Sequence, residues 1–182
     1  MPSITYRPLS EHEVTRIREI DRTERVRIGY RVEGDALIRM DVVWDSSPWR
    51  EEGDEHSFPH MIHFLEDILA NKGSMLGAFD GDRLVGLAAF RPHLSETMAQ
   101  LALLHVSNGY RRLGIARTFF DEIVKMAHQT GATQLYVSAT PSESAVAFYT
   151  SRGFVWTQTP HPELFALEPE DIHMIKPLAP QD

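Results

Sequence analysis

The most informative segment of this chain reads Leu104-His105-Val106-Ser107-Asn108-Gly109-Tyr110-Arg111-Arg112-Leu113-Gly114-Ile115-Ala116. An apolar strand is predicted to end here, and after a short turn an amphipathic helix begins. The first turn of a helix has backbone N–H groups without partners and the positive end of the helix dipole. Gly114 lets a ligand approach the backbone closely, and Arg111 and Arg112 add positive charge. The segment predicts a site for a pyrophosphate, although a tight turn with solvated arginines would also fit these residues.

A second pattern later in the chain reads Ser144-Ala145-Val146-Ala147-Phe148-Tyr149-Thr150-Ser151-Arg152-Gly153-Phe154. The spacing Arg111-x-x-Gly114-x-Ala116 resembles the R/Q-x-x-G-x-G/A signature of the GNAT family of N-acetyltransferases. The second pattern resembles the same family's A-x-x-F-Y-x-x-x-G-F sequence, and the two together are more specific than either alone. The resemblance covers residues 75–157 well and residues 1–20 loosely. It implies acetyl-CoA as the donor, and it does not distinguish acetyl from longer acyl chains.

The resemblance also implies which residues hold the donor. Leu104 and Val106 would offer backbone groups to the pantetheine arm where the sheet splays. Ser142 stands where the family often has Asn and would contact the pantetheine with a shorter reach, while Ala145 and Phe148 would pack along the arm. The residues that would cradle the pyrophosphate are Arg111, Arg112, Leu113, Gly114, Ile115, Ala116 and Arg117.

Two residues are the candidates for the chemistry. Tyr149 corresponds to the family's tyrosine that protonates the departing thiolate, a general-acid role, although a core aromatic on a helix would fit too. Gln100 stands on the central strand where relatives carry a carboxylate or His. It cannot be a base, but it could orient a water or the acceptor. His105 lies on the same strand, and simple alternation predicts that it points away from the Gln100 face unless a bulge re-aims it.

The acceptor side is less defined by the sequence. Glu163, in the loop before the last strand, either borders an acceptor pocket or is a solvated carboxylate. Trp44 and Trp49 either line that pocket or cover the apolar face of a hairpin. A histidine trio with zinc-like spacing is interrupted by Pro59 and is better interpreted as an exposed helix face, so no metal is predicted. The trio consists of His56, His60 and His63.

The hydrophobic periodicity predicts an α/β (α+β) fold. The order of strands and helices indicates a three-layer domain around a mixed sheet. The resemblance implies a single GNAT-like domain over residues 1–182, with a mostly antiparallel sheet flanked by helices and an extra N-terminal hairpin. The cofactor core spans 75–157, and the acceptor-side elements span 10–73 and 158–177. Strands are predicted at 4–6, 74–79, 83–90, 97–106, 134–139, 154–157 and 172–176, a hairpin at 25–45, and helices at 11–20, 57–71, 116–130 and 142–152. The strand at 97–106 is almost wholly apolar toward its end, which predicts burial on both faces.

The bulk composition narrows the function further. The chain has 182 residues, a net charge of −8 with His neutral, and no cysteine, which excludes thiol catalysis. An acidic chain is a poor partner for nucleic acid. The longest apolar stretch, near Leu84–Phe90, is too short to span a bilayer, and no signal peptide is apparent, so a cytoplasmic location is expected.

These patterns favour one function and keep another open. The favoured function is acetyl transfer to a primary amine of a small molecule or peptide. The alternative is a non-catalytic acyl-CoA-binding or partner-binding domain, which Gln100 keeps open because glutamine has no useful pKa. A homodimer is also plausible.

Overall fold

A seven-stranded sheet organises the chain, and a separate hairpin adds a second, two-stranded sheet. The computed structural model describes residues 2–53 and 55–179. The strands are β1 (Ile4–Leu9), β2 (Glu24–Glu33), β3 (Ala36–Ser46), β4 (Ser74–Asp80), β5 (Arg83–Arg91), β6 (Met98–Val106), β7 (Gln134–Ala139), β8 (Val155–Trp156) and β9 (Ile172–Pro177). The α-helices are α1 (Phe58–Ala70), α2 (Ile115–Gln129), α3 (Glu143–Ser151) and α4 (Pro162–Leu167). Two 3-10 helices span Glu11–Glu19 and Asn108–Tyr110.

The large sheet has the order β1-β4-β5-β6-β7-β9-β8, and β6–β7 is its parallel pair. The other pairs are antiparallel. The prediction of a mixed, mostly antiparallel sheet is confirmed.

Helices cover both faces of the sheet. One core cluster joins it to α2 and α3, with Phe119, Ile123 and Tyr149 among its members. A second cluster joins the opposite face to the first 3-10 helix and α1. Leu164 of α4 packs on a third, smaller cluster that includes Tyr136. The predicted three layers are therefore confirmed.

The N-terminal hairpin forms as expected, with β2 and β3 joined at Gly34, whose φ of +55° suits glycine. It is fastened to the rest of the fold at the start of α3. The Tyr30 N–H donates to the Pro141 carbonyl at 3.0 Å, and Gly29 forms a bridge to Ser142. A Cβ on Gly29 would come within 3.2 Å of the Pro141 oxygen, so the absence of a side chain permits this close approach.

Two local details differ from the predictions. The first helix is of the 3-10 type, although Ser10 and Glu13 make the expected reciprocal contacts, with the Ser10 N–H donating to the Glu13 carboxylate at 3.1 Å. The segment around Glu163 is the short helix α4 rather than a loop, with Pro162 at its start. A helix of six residues is too short for hydrophobic periodicity to reveal.

The strand β6 also departs from the prediction of burial on both faces. Only Ala99–Leu101 are buried, and residues 102–106 are half-buried. Among the described residues, no helix is long and apolar enough to cross a membrane.

Candidate active site

The sheet splits between β6 and β7. The two strands pair only from Met98 to Gln100, which face Gln134 to Tyr136. Beyond Gln100, β6 continues to Val106 in partnership with β5 alone, while β7 continues in partnership with β9. This split explains why the second half of β6 is only half-buried. It also leaves the β7-facing backbone groups of Leu104 and Val106 at the opening where a partial strand could be added.

A bulge in β6 changes which side chains face the opening. Ala89 of β5 pairs with Leu103 and Phe90 pairs with Leu101, so Ala102 is an extra residue. As a result Ala102 and Leu103 both pack toward α1, while Leu104 packs toward α2. His105 therefore lies on the same face as Gln100. The expectation from simple alternation is wrong because the bulge shifts the pleat by one residue.

The His105 ring is packed against Trp49, with the ring centroids 5.0 Å apart. Burial, together with the charges of Arg22 and Arg111, lowers the pKa of His105 to about 3. Trp49 is buried in the α1-side core beside Phe58, so it packs the interior rather than a loop pocket. Trp44 is half-buried on β3, opposite Val26.

This low pKa predicts a pH-dependent stability. Between pH 6.5, the ordinary pKa of His, and about 3, the unfolded chain takes up a proton that the folded His105 does not. The free energy of unfolding should therefore fall as the pH is lowered through this window, by up to about 1.4 kcal/mol per pH unit. Urea titrations at pH 7 and pH 5 should show a smaller difference for His105→Gln than for the wild type. Equal differences in the two proteins would contradict the assignment.

The start of α2 presents free N–H groups. Among the described residues, no hydrogen bond uses the backbone N–H groups of residues 112–117, and the first bond of the helix runs from the Thr118 N–H to the Gly114 carbonyl at 3.0 Å. Arg112 and Gly114 have φ values of +64° and +84°, a left-handed pattern typical of anion-binding turns. A Cβ added to Gly114 would meet no atom within 4 Å, so open space lies in front of this turn.

The arginines around this turn have different roles. Arg111 is held internally: its guanidinium donates to the Val106 and Arg22 carbonyls at 3.3 Å and pairs with Glu24 at 3.3 Å. It therefore ties the turn to the start of β2. Arg112 is exposed, and Arg117 is exposed beside Asp121, with 3.9 Å between the charged atoms. Among the described residues Arg112 makes no ion pair, so it is the unpaired positive charge of this turn, whereas Arg117 is partly neutralised by Asp121.

Tyr149 lies on α3 with only 8% of its surface exposed. Its ring packs on Phe148 and Phe154, while its hydroxyl makes no hydrogen bond with the residues that the structure describes and its oxygen is not fully buried. Burial raises the pKa of this hydroxyl, and the nearby charges of Asp171 and Glu168 raise it further. The phenol therefore keeps its proton at neutral pH and has no internal acceptor for it, which is the state a general acid requires.

The remaining cofactor candidates surround the start of α3. Ser142 is buried and caps the helix, accepting a hydrogen bond from the Ala145 N–H at 3.3 Å, with the Ser144 hydroxyl at 3.1 Å. Its hydroxyl is thus engaged in capping. Ala145 and Phe148 pack against the α2–α3 side of the core.

Gln100 is the buried polar residue at the base of the split. It is 4% exposed and lies in register with Arg91 on one side and Tyr136 on the other. Arg91 in turn makes two contacts with Glu163, at 2.6 and 3.3 Å, and this pairing lowers the pKa of Glu163. Glu163 is therefore an ion-paired carboxylate.

Sequence reasoning missed a group of polar residues on β7 and on the segments packed beside it. Its members come from β7, from the turn after α4 and from the start of β9, and they belong to no motif. They are Tyr136, Ser138, Glu168, Asp171 and His173. Within residues 2–53 and 55–179, no three His, Cys, Asp or Glu side chains are placed to share a metal ion.

The split sheet and the open helix start define an α/β protein with an anion-binding turn beside a gap between two parallel strands. The family model described as "Acetyltransferase (GNAT) domain" matches residues 50–163. The chain belongs to the GNAT family of acetyltransferases. Acetyl-CoA is the donor that GNAT domains use, so the predicted donor is confirmed at the level of the family.

Solved structures share the fold at low sequence identity. Nourseothricin acetyltransferase superimposes with a TM-score of 0.73 at 16% identity, covering 97% of this chain and 99% of the other. PaiA N-acetyltransferase from Thermoplasma acidophilum, in complex with coenzyme A, gives 0.62 at 18% identity, with 96% and 99% covered. The ribosomal-protein-S18-alanine N-acetyltransferase from Escherichia coli gives 0.63 at 14% identity, with 99% and 97% covered. A search of curated proteins found no match.

Proposed function

We propose that this chain is an N-acetyltransferase that moves the acetyl group of acetyl-CoA to a primary amine of a small molecule or peptide. The observation that carries the proposal is the run of unpaired N–H groups at residues 112–117, placed beside the split in the sheet. Such a run is the part of a protein best suited to a pyrophosphate. The exposed Arg112 and Arg117 add charge to it.

In this proposal, different residues bind the pyrophosphate and the pantetheine arm of acetyl-CoA. The turn from Arg111 to Arg117 receives the pyrophosphate, chiefly through the backbone N–H groups of Arg112, Leu113, Gly114, Ile115 and Ala116. Arg111 shapes this turn through its contact with Glu24. Backbone groups of Leu104 and the N–H of Val106, whose carbonyl already accepts from Arg111, pair with the pantetheine arm, and Ala145 and Phe148 pack along it. Ser142 supports this wall as the cap of α3.

Tyr149 is the general acid in this proposal. A thioester supplies an activated acetyl group, and the sulfur that leaves needs a proton. The Tyr149 hydroxyl has a raised pKa, so it is protonated at neutral pH, and it makes no hydrogen bond with the described residues, which supports this role. Gln100, buried at the base of the split, orients the acceptor through its amide.

The acceptor is a cationic amine in this proposal, because Glu168 and Asp171 place carboxyl groups near Tyr149. The structural neighbours include an acetyltransferase of nourseothricin and one of ribosomal-protein-S18 alanine, so both small-molecule and peptide amines belong in a test. A cytoplasmic location and a homodimer remain predictions from the sequence, and light scattering would measure the second.

The test combines CoA titration calorimetry with a mass-spectrometric assay of acetyl transfer. The acceptors are nourseothricin, spermidine and a peptide with an N-terminal alanine. Acetylation of at least one of them by the wild type, lost in Tyr149→Phe, is the expected result. Tight CoA binding without transfer to any amine would instead favour a non-catalytic acyl-CoA-binding domain, the alternative that Gln100 suggests.

A further inference from the structure

A turn just before β9 brings two carboxyl groups together. It runs from Glu168 through Pro169 and Glu170 to Asp171, and the Asp171 N–H closes it by donating to the Glu168 carbonyl at 3.2 Å. Proline is favoured at the second position of such a turn, because its fixed φ suits the turn. The ends of a β-turn lie within about 7 Å of each other, so Glu168 and Asp171 are neighbours.

A chain of hydrogen bonds anchors this turn to the sheet. The Glu168 carbonyl can only accept, so His173 Nε2, 3.0 Å away, carries the hydrogen. His173 Nδ1 is then an acceptor for the Tyr136 hydroxyl at 2.8 Å. The Tyr136 oxygen in turn accepts from the His161 N–H at 3.0 Å. Each hydrogen bond in this chain has one possible donor. The His173 Nδ1 can accept from the Tyr136 hydroxyl only while the His173 ring is neutral, so all three bonds form together only in that state.

His173 is suited to that neutral state. It is 5% exposed, and burial lowers its pKa, an effect that the Glu168 carbonyl partly offsets. Tyr136 is 1% exposed. The two rings therefore act as a fixed support for the turn, and neither is free to take up a proton from a substrate.

The turn is next to the core that holds Tyr149, because Ile172, the residue directly after Asp171, packs in the same core cluster as Tyr149. Asp171 immediately precedes β9. The first residue of β9, Ile172, pairs with Ala139, the last residue of β7. The helix α3 also begins shortly after this end of β7. The charges of Asp171 and Glu168 both act on the Tyr149 hydroxyl, Asp171 more strongly. The half-buried Asp171 and the loop that leads into α3 thus lie at the same end of β7, where the gap between β6 and β7 opens.

We propose that Asp171 is the general base that takes the proton from the acceptor amine, with Glu168 beside it and the Tyr136–His173 pair holding the turn in place. The proposal rests on the N-acetyltransferase function proposed above. Glutamine cannot act as a base, so Gln100 on β6 cannot fill this role. Asp171 would fill it from the turn before β9.

The proton balance of the reaction fits this assignment. An ammonium group loses one proton to the Asp171 carboxylate, and the neutral amine attacks the thioester carbonyl carbon. A carbon–nitrogen bond forms, the carbon–sulfur bond breaks, and its electron pair leaves on the sulfur. The sulfur takes the proton of Tyr149, and the second proton lost by the nitrogen restores that hydroxyl. The proton held by Asp171 passes to solvent.

Asp171 has the affinity for protons that this role needs. Burial and the charge of Glu168 raise the pKa of Asp171 to about 7. The titratable groups that interact with it are the Glu168 carboxyl, which is hydrogen-bonded to Ser138 of β7, and the Tyr149 hydroxyl on α3. A base with a pKa near the working pH is both available and strong enough to act.

The experiment compares Asp171→Asn and Glu168→Gln with the control Glu170→Gln, whose side chain is exposed on the same turn. The probe is whichever of nourseothricin, spermidine and the alanyl peptide the wild type acetylates fastest.

We expect Asp171→Asn to lower kcat/KM for the amine by about 100-fold or more at pH 7, with CoA affinity unchanged. The loss should shrink at alkaline pH, where the amine is already neutral. Glu168→Gln should move the inflection of the pH–rate profile to lower pH, because removal of a like charge lowers the pKa of Asp171.

The outcomes separate the two proposals. If Asp171→Asn keeps the wild-type rate and pH profile while Tyr149→Phe loses activity, Asp171 is not the base and the N-acetyltransferase function stands. If the wild type acetylates no probe, both proposals fall. Carbon-13 NMR titration of the carboxyl groups in the wild type and Glu168→Gln gives a check that needs no Asp171 variant. It should reveal a carboxyl group that titrates near pH 7 and shifts downward in the variant, and a spectrum without one would overturn the assignment.

Discussion

Gly114→Val is expected to weaken CoA binding by about 100-fold or more while leaving the fold intact. Gly114 has a φ of +84°, a conformation that a β-branched residue adopts only with strain. The valine would therefore rearrange the turn, and its side chain would project into the open space in front of the N–H groups. Charge-assisted hydrogen bonds contribute about 1.5–3 kcal/mol each, so loss of one or two of them accounts for the effect. Titration calorimetry with CoA measures it.

The other end of the same helix offers a matched control. Gly131 has a φ of +77° and also has no atom within 4 Å of an added Cβ. Gly131→Val should carry a similar strain, about 1–3 kcal/mol in the free energy of unfolding. It should nevertheless bind CoA like the wild type. Equal losses of CoA affinity in the two variants would mean that strain, and not the anion site, explains the result.

Features encoded within a short stretch were predictable from the sequence. The capping residues Ser10 and Glu13, the turn at Gly34 and the start of α2 at Gly114 each depend on a few adjacent residues. Their chemistry acts within one turn of chain, so pattern and propensity suffice. The two family motifs lie at the start of α2 and on α3, so the donor side of the site could be assigned to residues from the sequence, and those assignments remain predictions.

Features that depend on a partner strand were not predictable. The bulge at Ala102 arises because β6 has one more residue than β5 between two paired positions. The sequence of either strand alone does not indicate this extra residue. It moves His105 to the face of Gln100. The same limit applies to Arg111, because its partner Glu24 is distant in sequence and the guanidinium was expected at the pyrophosphate.

The acceptor side illustrates this limit most clearly. Asp171 follows an exposed turn in an acidic segment, where a solvated carboxyl group is the ordinary expectation. Only the pairing of β7 with β9 and the placement of α3 bring it near Tyr149. The sequence contains the residue, but its environment comes from tertiary packing, which sets the pKa.

Tyr149→Phe is expected to lower kcat for acetyl transfer by about 100-fold or more, within the range that general acid catalysis contributes. The KM for acetyl-CoA should change little, because the ring that packs on Phe148 and Phe154 is retained. Stability should also be preserved, since the hydroxyl has no hydrogen-bond partner to lose among the described residues. Steady-state kinetics and thermal denaturation measure the two effects separately.

A tyrosine remote from the split sheet provides the comparison. Tyr6, on the edge strand β1, is 41% exposed, and Tyr6→Phe removes a hydroxyl without touching the site. It should keep the wild-type kcat. If Tyr149→Phe retained full activity as well, the sulfur would have to take its proton from water, and Tyr149 would be a core aromatic only. If instead Tyr149→Phe lost both activity and stability, its hydroxyl would serve the fold. Loss of kcat alone, at unchanged stability and KM, would show that the hydroxyl acts in the reaction, as a proton donor to the sulfur does, because the substitution leaves the packing of α3 in place.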